Sequence, residues 1–393
     1  MWIKRLQLTD FRSYSEAVVD FDPGPNVIQG RNGAGKTNLL ESVSFLSTLS
    51  SHRVAASAPL VRAGCRRSHI GAELIEDGRS IQVQVRITPG QAVSVTIGGA
   101  SARPRDLPGL FRTVLFAPED LAIVKGDPAN RRSFIDHVLI QRAPRYHSVI
   151  SDLERVVRQR TALLRSALGH LRNSDRQSVE QTLGVWDDQL VSTGAELLRG
   201  RLKLIDEMSE PVAESYRELA PHSRAGVSYH AKSLGVEPDG SANLPRDKES
   251  LAELMREVLI GRREEELARG QTLVGPHRDD VFLSIDGMPA RGYASHGESW
   301  SLALALRLGS FRVLWEVDQS GSQPVLLLDD VFAELDAERR SFLASFAAGV
   351  DQCLITVAVA EDVPERLGGR RLDVVGGSGE ISSGQVKSSD GAP

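Results

Sequence analysis

Residues 30–37 read GRNGAGKT, with Gly30, Gly33 and Gly35 ahead of Lys36 and Thr37. The spacing is G-x-x-x-x-G-K-[ST], in which the glycines let successive amide N–H groups turn toward one anion. Arg31, Asn32 and Ala34 fill the same turn. Lys36 has the reach to meet the β- and γ-phosphates of ATP, and the Thr37 hydroxyl suits Mg²⁺. A second stretch, VLLLDDVFAELD at 325–336, carries paired carboxylates. Val325–Leu328 read as a buried strand ending on Asp329, which is placed to hold Mg²⁺ directly or through water. Asp330, one residue on, leaves the strand end toward the γ-phosphate side, where a carboxylate orients or deprotonates water. Upstream, Ser295 and Gly297 of ASHGESWSLALALRLGSF open a helical run. A serine hydroxyl, a glycine amide and a helix N-terminus form a second anion site.

These residues need elements to position them. The apolar run Asn26–Gln29 predicts a strand leading into the glycine loop, and Leu40, Val43, Leu46 and Leu49 recur at helical spacing after it. Two earlier strands are predicted around Ile3–Leu8 and at 17–21, with DPGP at 22–25 as a turn. The stretch IGAELIEDGRSIQVQVRI alternates on both sides of Asp77-Gly78, and AVSVTIGGA adds a further strand, so an antiparallel region follows. The runs 325–332 and 352–360 are apolar throughout, as buried parallel strands are.

Between these parts the composition changes. No glycine occurs from Asp127 to Leu168, and positions 149, 153, 156, 160, 164, 167 and 171 keep a helical period, with Arg160 in the apolar register. Leu183, Trp186, Leu190, Leu197 and Leu204 mark a second long helix, packed with the first as a hairpin. GVEPDGSANLP at 235–245 reads as a loop, and a charged helix is expected at about 247–268. The polar Gly/Ser tail 376–393 is expected to be disordered.

Composition narrows the class. With 393 residues, 41% hydrophobic and 25% charged, the chain can bury sizeable cores. Cys65 and Cys353 have no metal-ligand spacing, which fits a reducing cytoplasm, and no signal peptide or apolar membrane span is read in the sequence. Net charge is −5, yet residues 131–176 hold ten arginines against four acids. Arg131, Arg132, Arg155, Arg158 and Arg165 are therefore candidates for phosphate contacts on duplex DNA, although an exposed charged face and, for Arg160, a packing role are the alternatives. Aromatics are sparse there, which disfavours base stacking on single strands.

The order phosphate loop, Ser-x-Gly helix, Asp-Asp strand, AELD resembles an ABC ATPase head. Among such heads the chain closely resembles the RecF family of bacterial recombinational repair, within the SMC-like superfamily. The matching pieces are LTDFRSY at 8–14, GRNGAGKTNLLESV, SSHR at 50–53, FAPEDL at 116–121, KGDPANRRSFID at 125–136, LVGPHRDD at 273–280, SHGES and LLLDDVFAELD. The resemblance implies an α/β fold: a P-loop ATPase lobe (residues 1–125 and 270–375, a parallel core sheet plus the antiparallel region) and an inserted helical lobe, 126–269. It implies an ATP-driven homodimer in which Ser295 and Gly297 act in trans and Asp336 lies at the dimer seam. Arg12 contacts the nucleotide or is simply an exposed strand-end arginine. Weak ATPase activity, DNA binding near single-strand/double-strand junctions, and RecR and RecO as partners in loading the recombinase are likewise implied.

Three departures from the pattern stand out. Glu298-Ser299-Trp300 replaces a more usual glutamine pair, LITVAVAED lacks the switch histidine of many ABC ATPases, and FAPEDL has no glutamine. Rival readings are the nucleotide-binding subunit of a membrane transporter, an SMC-like structural ATPase and a nuclease-linked repair ATPase. The basic insert and GPHRDD have no use in a transporter, the insert is too short for a long coiled coil, and no carboxylate or histidine cluster outside the nucleotide site supports a nuclease.

Overall fold

The computed structural model describes all residues except 55, 169–172, 317–320, 360–362, 365–366, 375–380 and 385–393, and gives backbone alone at 173–179, 239, 241–242 and 381–384. The chain divides into two compact units: Met1–Leu121, Glu214–Pro221 and His296–Pro393 form the first, and Ala122–Ala213 with His222–Ser295 the second.

The first unit begins with β1 (Trp2–Phe11), β2 (Tyr14–Asp20), β3 (Gly24–Gln29) and α1 (Lys36–Thr48). It continues with β4 (Ser68–Glu76), β5 (Arg79–Ile87), β6 (Ser94–Ile97), β7 (Ala100–Ala102) and β8 (Thr113–Phe116). β2-β1-β4-β5-β6-β7 form one antiparallel sheet, and Asp77-Gly78 turns the β4–β5 hairpin with positive φ at both residues. Burial alternates along β4 and β5, as expected when one face meets a core and the other meets water.

The second unit runs through α2 (Leu121–Lys125), α3 (Pro128–Arg142), α4 (Tyr146–Ala167) and α5 (Asn173–Leu219). β9 (Ala225–His230), α6 (Lys248–Gly261), α7 (Arg263–Arg269), β10 (Asp280–Ile285), β11 (Met288–Pro289) and the short α8 (Ala290–Tyr293) follow. The two long helices do form an antiparallel pair: Arg160 meets Asp187 and, nearer the start of α4, Tyr146 reaches Glu196. α5 extends over 47 residues with Pro211 inside it, and its end, from Glu214, counts with the first unit. The insert expected to be helical, 126–269, also holds β9, which joins β10 and β11 in a three-stranded sheet whose strands alternate in burial over too few residues to stand out in the sequence. Residues 270–295, expected in the ATPase lobe, belong to this unit.

α9 (His296–Glu316), β12 (Val325–Asp329), α10 (Ala337–Ala348), β13 (Gln352–Val357), β14 (Arg370–Val374) and β15 (Ile381–Gly384) complete the first unit. Its second sheet has the order β15-β14-β3-β13-β12-β8, parallel except for β15. β12 and β13 are buried at every position, because both sheet faces are covered. Within the tail expected to be disordered from 376 onward, Ile381–Gly384 form a strand paired with β14; its other residues, 376–380 and 385–393, lie outside those described. Leu39, Leu40, Val43 and Leu46 of α1 share one core with Ile3 and Leu6 of β1 and Leu327 of β12. Each such leucine contributes about 2 kcal/mol when fully buried, and together they fix α1 behind the glycine loop.

Candidate nucleotide-binding site

The loop between β3 and α1 has its shape set by glycine. Gly35 sits at φ 110°, and a Cβ there would lie 2.9 Å from Tyr14 Oη. Tyr14 in turn donates its hydroxyl to the Gly35 carbonyl at 3.1 Å, so the turn is braced from below. Lys36 is 4% exposed, and its Nζ donates to the Gly30 carbonyl at 2.8 Å and to that of Arg31 at 3.5 Å. Arg31, Asn32 and Gly33 are exposed, Ala34 half-buried, and the turn heads a helix of 13 residues whose dipole favours an anion at this end.

Across the sheet, parallel pairing sets Asp329 of β12 opposite Thr356 of β13. The Thr37 hydroxyl donates to Asp329 Oδ1 at 3.1 Å, and Thr356 donates to the same oxygen at 2.6 Å. The Thr356 hydroxyl also accepts from the Asp330 amide at 3.0 Å. Burial pushes the Asp329 carboxyl above the usual carboxylate range, while the two threonine hydrogen bonds pull it down and the Asp330 charge adds to the rise. Asp330 has φ 50°, a left-handed conformation that turns its side chain off the strand line. A cavity of about 210 Å³ is lined by Asn32 of the loop, Pro118, Asp330, Glu334, Val357 and Ala358. Ala358 stands in the stretch where the sequence lacks the switch histidine. Thr37 and Asp329 offer adjoining oxygen donors at a helix start and a strand end, which fits Mg²⁺ chemistry.

Beside the loop, Arg12 is engaged. It forks onto fully buried Glu41 of α1, with Nε donating at 2.8 Å and Nη2 at 2.5 Å, and Nη1 donates to the Pro59 carbonyl at 3.1 Å. Burial raises the Glu41 carboxyl, but Arg12, Ser51 and Arg53 outweigh it and hold the group below its ordinary value. The SSHR stretch thus gathers around Glu41, a residue not singled out in the sequence.

A second group forms at the start of α9. Ser295 is exposed immediately before the helix, and Gly297 and Glu298 are half-buried in its first turn. Ser301 donates to the Gly297 carbonyl at 3.1 Å and accepts from Arg339 Nε at 2.7 Å. Asp336 caps α10 by accepting from the Arg339 amide at 3.0 Å and also pairs with its guanidinium. Arg339 therefore connects Asp336 to the Ser-x-Gly helix, a role with no signal in the linear sequence. Trp300, where a glutamine is more usual, is buried and packs edge-on against Phe116, with ring centres 5.6 Å apart. In FAPEDL, Asp120 takes a two-pronged ion pair from Arg307 of α9 at 2.6 and 3.0 Å. The structure joins Thr37, Asp329 and Asp330 in one cluster and Gly297 with Asp336 in another.

A family model described as the RecF/RecN/SMC N terminal domain matches residues 2–366. The DNA replication and repair protein RecF of Frankia alni is 49% identical over 378 residues, covering 96% of this chain and 98% of its own. The chain belongs to the RecF family. RecF of Cutibacterium acnes is 46% identical over 387 residues, covering 96% of this chain and 97% of its own. Among solved structures, the recombination mediator protein RecF-ATP in the RecFOR pathway superimposes with a TM-score of 0.84 at 25% identity, over 97% of each chain. An Smc head bound to the C-winged helix domain of ScpA, at TM-score 0.53 and 13% identity, shares the fold. The ABC-type, SMC-like head expected from the motifs is thus the fold of this RecF-family chain. A transporter subunit is not favoured, and no helix among the described residues is long and apolar enough to cross a membrane.

The second unit of this RecF-family chain sorts the arginines. Arg131 is 4% exposed and forks onto Asp280 at 2.7 and 2.9 Å. Arg132 donates to the Asp279 carbonyl at 2.7 Å, and burial lowers its pKa. Both are engaged inside the fold. The GPHRDD stretch supplies these partners, and Asp279 also accepts from Tyr229 at 3.1 Å and from the Ser233 amide at 2.9 Å. Arg155 and Arg158 are exposed on α4 and pair with Asp152 and Glu154 one turn away, contacts worth little in water. Arg165 is exposed as well. Arg172, within the basic run, lies outside the described residues.

Proposed function

We propose that this chain is an ATP-dependent DNA-binding protein of recombinational repair and replication-gap rescue, in which ATP closes a homodimer on duplex DNA near single-strand/double-strand junctions. The observation that carries the reading is the Thr37–Asp329–Thr356 cluster at the end of the parallel sheet, with Asp330 turned into the adjoining cavity. The ATP and the RecFOR pathway named for the solved relative support nucleotide binding and partners of the RecO and RecR type, which assist in loading the recombinase.

In this reading the amides of residues 30–37 wrap the triphosphate and Lys36 swings from the Gly30 carbonyl to the β- and γ-phosphates. Thr37 and Asp329 hold Mg²⁺, which supplies charge against the phosphate oxygens. Asp330 orients the attacking water and accepts its proton. Ser295 and Gly297 present a helix N-terminus to the γ-phosphate held by a second copy, and Asp336 lies at the seam. Hydrolysis is slow and resets the dimer. Arg155, Arg158 and Arg165 remain the candidates for DNA contact on α4.

The test is the mass of the protein with and without ATP for wild type, Lys36→Ala, Ser295→Ala and Asp330→Asn. Asp330→Asn is expected to accumulate as an ATP-bound dimer, while Lys36→Ala and Ser295→Ala stay monomeric. A Ser295→Ala dimer as stable as wild type would overturn the in-trans assignment.

A further inference from the structure

A cluster of cations outside the nucleotide site lies in the second unit, around a cavity of about 220 Å³ between the end of α3, the start of α4 and the middle of α5. Arg142, Arg145, Arg199, Lys203 and Arg246 line it. Three carboxylates answer these five cations: Glu207 pairs with Arg142 and, at 4.0 Å, with Lys203, Glu196 with Arg145 and Arg199, and Asp206 with Arg246. The balance is positive, and the most exposed charges are Arg145 and Lys203, at 64% and 65%. One further fact points to an anion, and a second shows how the wall is packed. Among the described residues the Nε atoms of Arg142 and Arg199 are buried with no hydrogen-bond partner, as is Glu207 Oε2, so donors outnumber acceptors in this unmatched set, and a buried guanidinium donor without a partner is costly. Gly200 leaves space that Tyr146 fills: a Cβ there would lie 2.5 Å from the tyrosine ring, whose face Arg145 covers at 5.1 Å.

We infer that this cavity receives the sugar-phosphate backbone of duplex DNA, with Arg145 and Lys203 contacting successive phosphates. The inference rests on the proposed DNA-binding role and adds a contact site that the α4 arginines do not provide. A nucleotide backbone alternates an anionic phosphate with a weakly polar sugar. The cavity offers the matching surface, with Leu139, Ala143 and Tyr146 between the cationic groups. Such contacts position DNA without reading its sequence, because they touch no base edge. An acidic peptide is the lesser fit: it needs an apolar pocket for an anchoring side chain, and here Arg145 covers the aromatic face.

The experiment uses the full chain with ATP and Mg²⁺ and a fluorescent duplex of about 30 base pairs, titrated at several salt concentrations. The proteins are wild type, Arg145→Ala, Lys203→Ala and the double variant. Each single change is expected to weaken binding roughly fivefold to tenfold near 0.1 M salt and to lower the slope of log affinity against log salt by about one. Fluorescent ATP binding should stay at the wild-type level, since both side chains are exposed and far in sequence from the phosphate loop; this shows the variants are folded. Wild-type affinity and slope in the double variant would overturn the assignment while leaving the DNA-binding role standing. A wild-type protein whose duplex affinity ignores salt would remove that role itself. Capture of a poly-glutamate peptide by wild type but not by the double variant, with duplex affinity unchanged, would also overturn it in favour of a carboxylate partner.

Discussion

Thr356 shows how one hydroxyl sets two carboxylates. It donates to Asp329 and accepts from the Asp330 amide, so it helps fix both the Asp329 oxygen that Thr37 also reaches and the left-handed turn at Asp330. Thr356→Val keeps the volume and the Asp330 amide keeps the Thr356 carbonyl at 3.2 Å, but buried Asp329 loses one of its two hydroxyl donors, a cost of about 1–2 kcal/mol. ATP turnover is expected to fall roughly 10- to 100-fold, as when a ligand's supporting hydrogen bond is lost. Urea unfolding and a phosphate-release assay check the two numbers. At this scale the position of the glycine loop at a helix start and of Asp329 at a strand end beside Thr37 was legible, because residue types and spacing set both. Thr356, Glu41 and Arg339 were not, because each acts through a partner that only folding brings near: Thr356 reaches 27 positions back and Arg339 reaches 38 back to Ser301.

Among the elements, α4 carries a charge in its apolar stripe. Arg160 is fully buried and meets Asp187 at 2.8 Å, Glu266 at 2.5 and 3.0 Å and Thr272 at 3.2 Å, so it joins α4, α5 and α7. Arg160→Leu is expected to cost about 3–5 kcal/mol in urea unfolding, since two carboxylates lose their buried partner. Adding Glu266→Leu should recover part of that loss. The helical period predicted the stripe and its arginine, but periodicity carries no information on which acids complete it. His277 gives this unit a pH dependence. Burial, with Arg278, Arg132 and Arg201 nearby, pushes its pKa down to about 4 against the opposing Thr272 carbonyl, which its Nε2 faces at 3.3 Å. Below about pH 6.5 the unfolded chain takes up a proton that the folded one refuses, so stability is complete above that value and lost as pH falls toward 4. The loss amounts to roughly 3 kcal/mol. His277→Gln, which keeps a donor for Thr272, should flatten that part of the difference between pH 7 and pH 5.

For the whole molecule, the sequence showed a two-part chain with a basic helical middle, and the paired long helices and the parallel sheet followed that reading. The sheet of β9, β10 and β11 and the placement of residues 270–295 did not, since short strands alternate like many loops and unit boundaries depend on contacts between distant segments. A chain lacking everything from Gln352 onward is expected to fail to retain fluorescent ATP even though residues 30–37 are intact, because β3 would lose both of its neighbours.

The same topology governs the order of events at the ribosome. β3 emerges among the first 29 residues, but its partners β13 and β14 end at Val357 and Val374. At about 5–20 residues per second of synthesis, the strand that carries the phosphate loop waits roughly 20–70 seconds for them. Throughout that interval its hydrogen-bonding edges are open to whatever protects a nascent chain, and the nucleotide cannot act as an early folding template.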